Sequence, residues 1–252
     1  MNLTQSIILF LPALIAGIIQ GTTGFGFGII VMLIYPHILG VIPSAGISQC
    51  VSAFLCLFMV VQYRKHIQWN LLVKPWIIYF PSYFAFIWFV TQINVNFLRP
   101  VLGVFLVLLS LYFLRFSSNI VIRDRWESAL ICVLLGAAVD AAFGIGGPPV
   151  VLYLMSVTKS KEEYLGTIQA FFFVTCVYGT CMRMFNGMLP ADIVPALGIS
   201  LFGMFIGVSI SVKIVARLDS AKVKHIVYYI IGVAGMITLL NHFISEVKIW
   251  GN

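Results

Sequence analysis

The chain has 252 residues, of which 61% are hydrophobic and 9% charged, with a mean hydropathy of +1.06. A soluble domain carries about 25% charged residues, so this composition excludes a soluble catalytic domain and defines an integral membrane protein. Its several long apolar runs make it polytopic and helical rather than a barrel, and the net charge of +7 comes from Lys and Arg in short loops, not from a nucleic-acid-binding face.

Met1 to Phe10 contain no Lys or Arg, so the first apolar stretch reads as a retained helix and not as a cleaved signal. That stretch, residues 5–35, is interrupted by Gly21-Thr22-Thr23-Gly24-Phe25-Gly26-Phe27-Gly28. An unbroken helix of its length would run about 45 Å, too long for one upright crossing of a hydrocarbon core of about 30 Å. Helices are predicted at 44–62, at 72–91 with Pro75 and Pro81, and at 98–115. Arg115 to Glu127 is the longest polar stretch and joins two halves. The pattern then restarts with a second interrupted stretch at 128–157, broken by Phe143-Gly144-Ile145-Gly146-Gly147-Pro148-Pro149. Helices at 164–182, 192–212 and 224–243 complete the chain. Trp69, Trp76, Trp88, Trp126 and Trp250 fall near segment ends, where interfacial anchors belong.

The restart is an internal repeat within one transporter domain over 1–252, with halves at about 1–118 and about 126–252. An offset of 120 pairs Gly24 with Gly144, Gly26 with Gly146, Gly46 with Gly166, Gln49 with Gln169, Cys56 with Cys176 and Pro75 with Pro195. Loop charge sets the relation between the halves. If each broken stretch is a hairpin, Arg64, Lys65, Lys74, Arg115, Arg123, Arg125, Lys159, Lys161, Lys213, Arg217, Lys222 and Lys224 all face the inside. Only Arg99, Arg183 and Lys248 of the fifteen Lys and Arg then lie outside. The halves are inverted in that arrangement and both termini are outside. The expected fold is all-α: an inverted repeat of about eight transmembrane helices plus two glycine-tipped hairpins.

Broken backbone at membrane depth persists only where protein or a water-filled cavity satisfies its polar groups. A matched pair of such breaks marks a transport site. The second arms start near Phe27 and at Pro148, and open amides at a helix N-terminus attract anions. Gly24, Gly26, Gly28, Gly144, Gly146 and Gly147 are therefore candidates for an anion cradle; close helix packing is the other role that fits them. Gln49 and Gln169 fit either as amide donors to an oxyanion or as hydrogen-bonded links between helices. Thr23, with Thr22, offers a hydroxyl to the anion or to its own backbone. Gln20 and Asp140 are repeat partners, and Asp140 is the one acid deep in an apolar run. It is a candidate proton site, with a neutral hydrogen-bonded acid or a partner to the hairpin backbone as the alternatives. Arg183, at a helix end, reads as snorkelling to the interface, with attraction of anions at the entrance as its other reading.

The five cysteines, Cys50, Cys56, Cys132, Cys176 and Cys181, lie in apolar runs without metal-site spacing and read as small buried hydrophobes. Cys50 and Cys176 are the first to test for a thiol that handles a sulfur substrate. No cofactor is expected, and no Ser/His pair, GxSxG, HExxH or P-loop supports an enzyme.

Gly144-Ile145-Gly146-Gly147-Pro148-Pro149-Val150-Val151-Leu152-Tyr153-Leu154 resembles the second-repeat signature of the TauE/SafE sulfite exporter family, and Gly24-Phe25-Gly26-Phe27-Gly28 resembles its first. The likeness spans essentially the whole chain. It implies a bacterial inner-membrane permease for small sulfur-containing anions such as sulfite, thiosulfate or sulfonates. The sulfur comes from the resemblance alone. A transporter or channel for another small anion such as a carboxylate, or a non-transporting membrane subunit, are the alternatives.

Overall fold

The computed structural model describes residues 2–116, 124–214 and 236. The predicted helix at 224–243 and the cations of the loop before it lie outside the described residues, apart from Met236. Among the described residues the chain is helical without strands. The helices are α1 Leu3–Thr23, α2 Phe27–Ile34, α3 Pro36–Leu39, α4 Val41–Tyr63, α5 Trp69–Gln92, α6 Val95–Phe116, α7 Trp126–Phe143, α8 Gly147–Val157, α9 Lys161–Phe185 and α10 Val194–Ile214. Six of these segments are long and apolar enough to cross a membrane: those at Leu3–Thr23, Val41–His66, Trp69–Gln92, Trp126–Phe143, Lys161–Phe185 and Ala191–Ser211.

Both predicted breaks are present. α1 stops because Gly24 turns left-handed at φ 85°, closing the helix with its N–H on Gln20 O at 2.8 Å. Gly26, at φ 113°, then starts α2 in a new direction. α7 stops in the same way at Gly144, with φ 64° and its N–H on Asp140 O at 2.8 Å. A side chain at any of these three positions would be strained by the backbone alone. Gly146 has an ordinary φ of −69° and is glycine for another reason: a Cβ there would stand 2.6 Å from Asp140 Cβ. α2 packs on α1, and α8 packs on α7. The arms are unequal, with 21 and 18 residues before the breaks and 8 and 11 after them.

Two helix pairs hold this unit together, α1 with α10 and α4 with α9. Between helices in lipid there is little hydrophobic gain, so close backbone approach through small residues carries the packing. Gly17 and Gly21 on α1 and Gly203 and Gly207 on α10 are each four residues apart. A Cβ at Gly207 would meet Leu14 O at 2.1 Å, and one at Gly17 would meet Met204 O at 2.8 Å. Tyr35, at the end of α2, adds a polar clasp: its hydroxyl donates to Leu9 O at 2.6 Å and lies 2.7 Å from Ser200 Oγ. On α4 and α9, Gly166 faces Tyr63 O and Gly179 faces the Gln49 amide. α6 belongs to a second unit that begins at residue 92. It is a single apolar helix with Leu98, Leu102, Leu106 and Leu109 along one face.

Candidate functional site

The two breaks touch. A Cβ at Gly28 would stand 2.5 Å from Gly144 O, and that carbonyl accepts from Ser48 Oγ at 3.3 Å. Between the breaks lies a cavity of about 40 Å³, room for roughly two or three water molecules. Gly26 and Gly28 line it from the first break, and Gly144, Gly146 and Gly147 from the second. Gln20, Ser52, Tyr79, Asp140, Thr175, Cys56 and Cys176 supply its polar and polarisable groups, and residues such as Phe25, Phe171 and Phe172 its apolar wall.

Positions 20 and 140, which the repeat offset equates, do the same local work. Gln20 Oε1 accepts from Phe27 N at 3.0 Å, so α1 caps the start of α2. Asp140 Oδ1 accepts from Gly146 N at 3.2 Å, so α7 caps the start of α8. Each side chain satisfies one of the amides that a helix start leaves open. Asp140 is 5% exposed, and its other oxygen takes the Tyr79 hydroxyl from α5. Gln20 Nε2 lies 3.5 Å from Gln169 Oε1 and 3.4 Å from Cys56 Sγ.

The two predicted glutamine donors have diverged. Gln169 Nε2 donates to Gly24 O at 2.8 Å, holding α9 to the first break. Gln49 Oε1 instead accepts from Tyr83 OH at 3.1 Å and Arg183 Nε at 2.9 Å. Neither glutamine lines the cavity, and neither does Gly24, which is covered by Tyr164 and Leu165. Thr23 bonds its own break, with Oγ1 2.8 Å from Ile19 O and 2.7 Å from Phe25 O.

Arg183 differs from its reading as a snorkelling residue: it is fully buried. Its Nη2 donates to Asp140 O at 3.0 Å and Ala141 O at 2.7 Å. These are last-turn carbonyls of α7, of which Asp140 O also accepts the Gly144 N–H, and a cation at a helix C-terminus is favoured. Those acceptors replace water and keep the guanidinium inside. Arg183 does not pair with the Asp140 carboxylate. Among the described residues the one ion pair is Lys74–Asp124, at 3.0 Å.

Sequence reasoning missed Tyr79 and Tyr83, whose spacing of four on one apolar helix places two hydroxyls on one face. Of the two cysteines singled out, Cys176 lines the cavity beside its repeat partner Cys56, whereas Cys50 does not line it. Among the described residues no group of His, Cys, Asp and Glu is placed to hold a metal.

Six apolar crossing-length helices, two of them ended by glycine breaks that share a cavity, define a multi-pass helical membrane protein with a buried polar site. The model of the family described as sulfite exporter TauE/SafE matches residues 9–238, and the chain belongs to that family of membrane transport proteins. No curated protein and no solved structure matches it.

Proposed function

We propose that the protein is a secondary transporter of small sulfur-containing anions, such as sulfite, thiosulfate or a sulfonate like sulfoacetate. The observation that carries this reading is the cavity in which both glycine breaks meet. Gly26, Gly28, Gly146 and Gly147 line it at two helix starts, and the backbone of a helix start suits an oxyanion. Gly144 shapes the cavity between the breaks. Gly24, Thr23 and Gln169 fix the first break, and Gln49 fixes Arg183 behind the second. Substrate passes by alternating access, with the breaks as glycine-tipped hairpins of an inverted repeat of about eight crossings. Asp140 takes up the coupling proton. The protein sits in the cell inner membrane with both termini outside.

The test is flux of labelled sulfite into liposomes carrying the purified protein, with and without a pH gradient, against competing anions. Saturable flux blocked by sulfonates and not by carboxylates is the expected result. Equal block by carboxylates would make the protein a broader anion carrier. No flux from folded protein would point to a non-transporting membrane subunit.

A further inference from the structure

The second break is already occupied in this conformation. Pro148 and Pro149 have no N–H, so the amides available ahead of and at the start of α8 are those of Ile145, Gly146 and Gly147. Asp140 Oδ1 takes the Gly146 amide at 3.2 Å. Gln20 takes the Phe27 amide at the first break through a neutral oxygen at 3.0 Å. The fold therefore caps the start of α2 from the repeat-equivalent position, on an amide one residue further along, without a charge. Capping alone does not account for a carboxyl group at position 140.

We infer that Asp140 is a tethered competitor of the transported anion: its carboxylate holds the anion's place on the Gly146 amide, and an anion binds there only as Asp140 takes up a proton. This rests on reading the cavity as the transport site. The buried cation nearby, Arg183, makes no ion pair with the Asp140 carboxylate. Tyr79 from α5 donates to Oδ2. Tyr83 from α5 and Arg183 from α9 are tied to Gln49 on α4, and Arg183 is further engaged by backbone carbonyls. Cys176, also on α9, shares the cavity. None of these groups is a second acid. Two anions in one such site cannot both stay ionised and close together, so an arriving anion and the Asp140 carboxylate exclude each other. Protonation turns the carboxylate into a hydrogen-bond donor, which then faces the anion instead of repelling it. Asp140 takes up one proton for each anion bound.

The experiment is equilibrium binding of sulfite to the full chain in lipid nanodiscs, from about pH 5 to about pH 9, for wild type, Asp140→Asn and Gln20→Glu. Taking the ratio of Kd values at each pH removes the titration of sulfite itself. The wild-type Kd divided by the Asp140→Asn Kd should be flat at low pH and rise about tenfold per pH unit once Asp140 ionises. Gln20→Glu installs a second competitor at the first break, so its Kd should climb more steeply with pH than the wild-type Kd. Parallel curves for wild type and Asp140→Asn overturn the inference. If Asp140→Asn does not yield monodisperse protein, an unchanged slope in Gln20→Glu overturns it as well. Absence of sulfite binding by wild type at every pH strikes the transport-site reading itself, a distinct result from parallel curves.

Discussion

Gly144 and Gly187 form a matched pair that isolates how much the contact between the second break and α4 contributes. Both are left-handed, at φ 64° and φ 66°. An alanine at either position pays the left-handed penalty of about 1–2 kcal/mol. Their surroundings differ. A Cβ at Gly187 meets nothing within 4 Å, whereas one at Gly144 would stand 2.7 Å from Ala45 O. That is about 0.7 Å short of an ordinary 3.4 Å contact. The atom in the way is backbone, which cannot turn aside as a flexible side chain can. Overpacking of this kind costs about 1–3 kcal/mol. Gly144→Ala should therefore destabilise the protein by about 2–5 kcal/mol, and Gly187→Ala by about 1–2 kcal/mol. Reversible denaturation of both variants in the same detergent measures the difference. If the two variants agree to within about 0.5 kcal/mol, the close approach of the break to α4 is not a source of stability and the packing argument fails.

Arg183→Met should cost about 1–3 kcal/mol in the same assay, because Ala141 O loses its charged donor while staying buried and Asp140 O keeps only the Gly144 N–H. Arg183→Lys should recover only part of that, since one ammonium cannot reproduce the forked guanidinium contacts to two carbonyls and Gln49. Outside the spans, the Tyr153 hydroxyl and then Lys74 hold the Asp124 carboxyl below its usual range. A folded-state pKa below the unfolded one stabilises at neutral pH and loses that contribution as pH falls. Asp124→Asn should therefore cost under about 1 kcal/mol at pH 7, the pair being half exposed, and the gap to wild type should close below about pH 4. Single cysteines at positions 65 and 160, in a cysteine-free background, should both be labelled from inside the cell and one at 95 from outside. Labelling of 65 and 160 from opposite faces would refute the hairpin topology.

The residues that break helices were legible because their signal is local. A left-handed turn at Gly24 and at Gly144 follows from glycine's freedom within a few residues, and the repeat offset matched the two before any tertiary contact was known. Helix extents followed from hydropathy, with 44–62 realised as Val41–Tyr63 and 164–182 as Lys161–Phe185. What lay beyond local signal was how each equivalent position would be used. Gln49 and Gln169 are the same residue at the same repeat position, yet one accepts from a buried arginine and the other donates to a break. The difference is made by position 183, whose repeat partner is Tyr63, and by Tyr79 and Tyr83, whose partners are Ile199 and Gly203. A repeat read from sequence emphasises what the halves share. The polar chemistry of this site lies in what they do not: a neutral cap on α2, a carboxyl cap on α8, and a buried cation placed only behind the carboxyl. If the breaks bind an anion as proposed, that asymmetry predicts different affinities and different responses to pH at the two. A carrier built from two equivalent neutral breaks would have no group here to link anion binding to a proton.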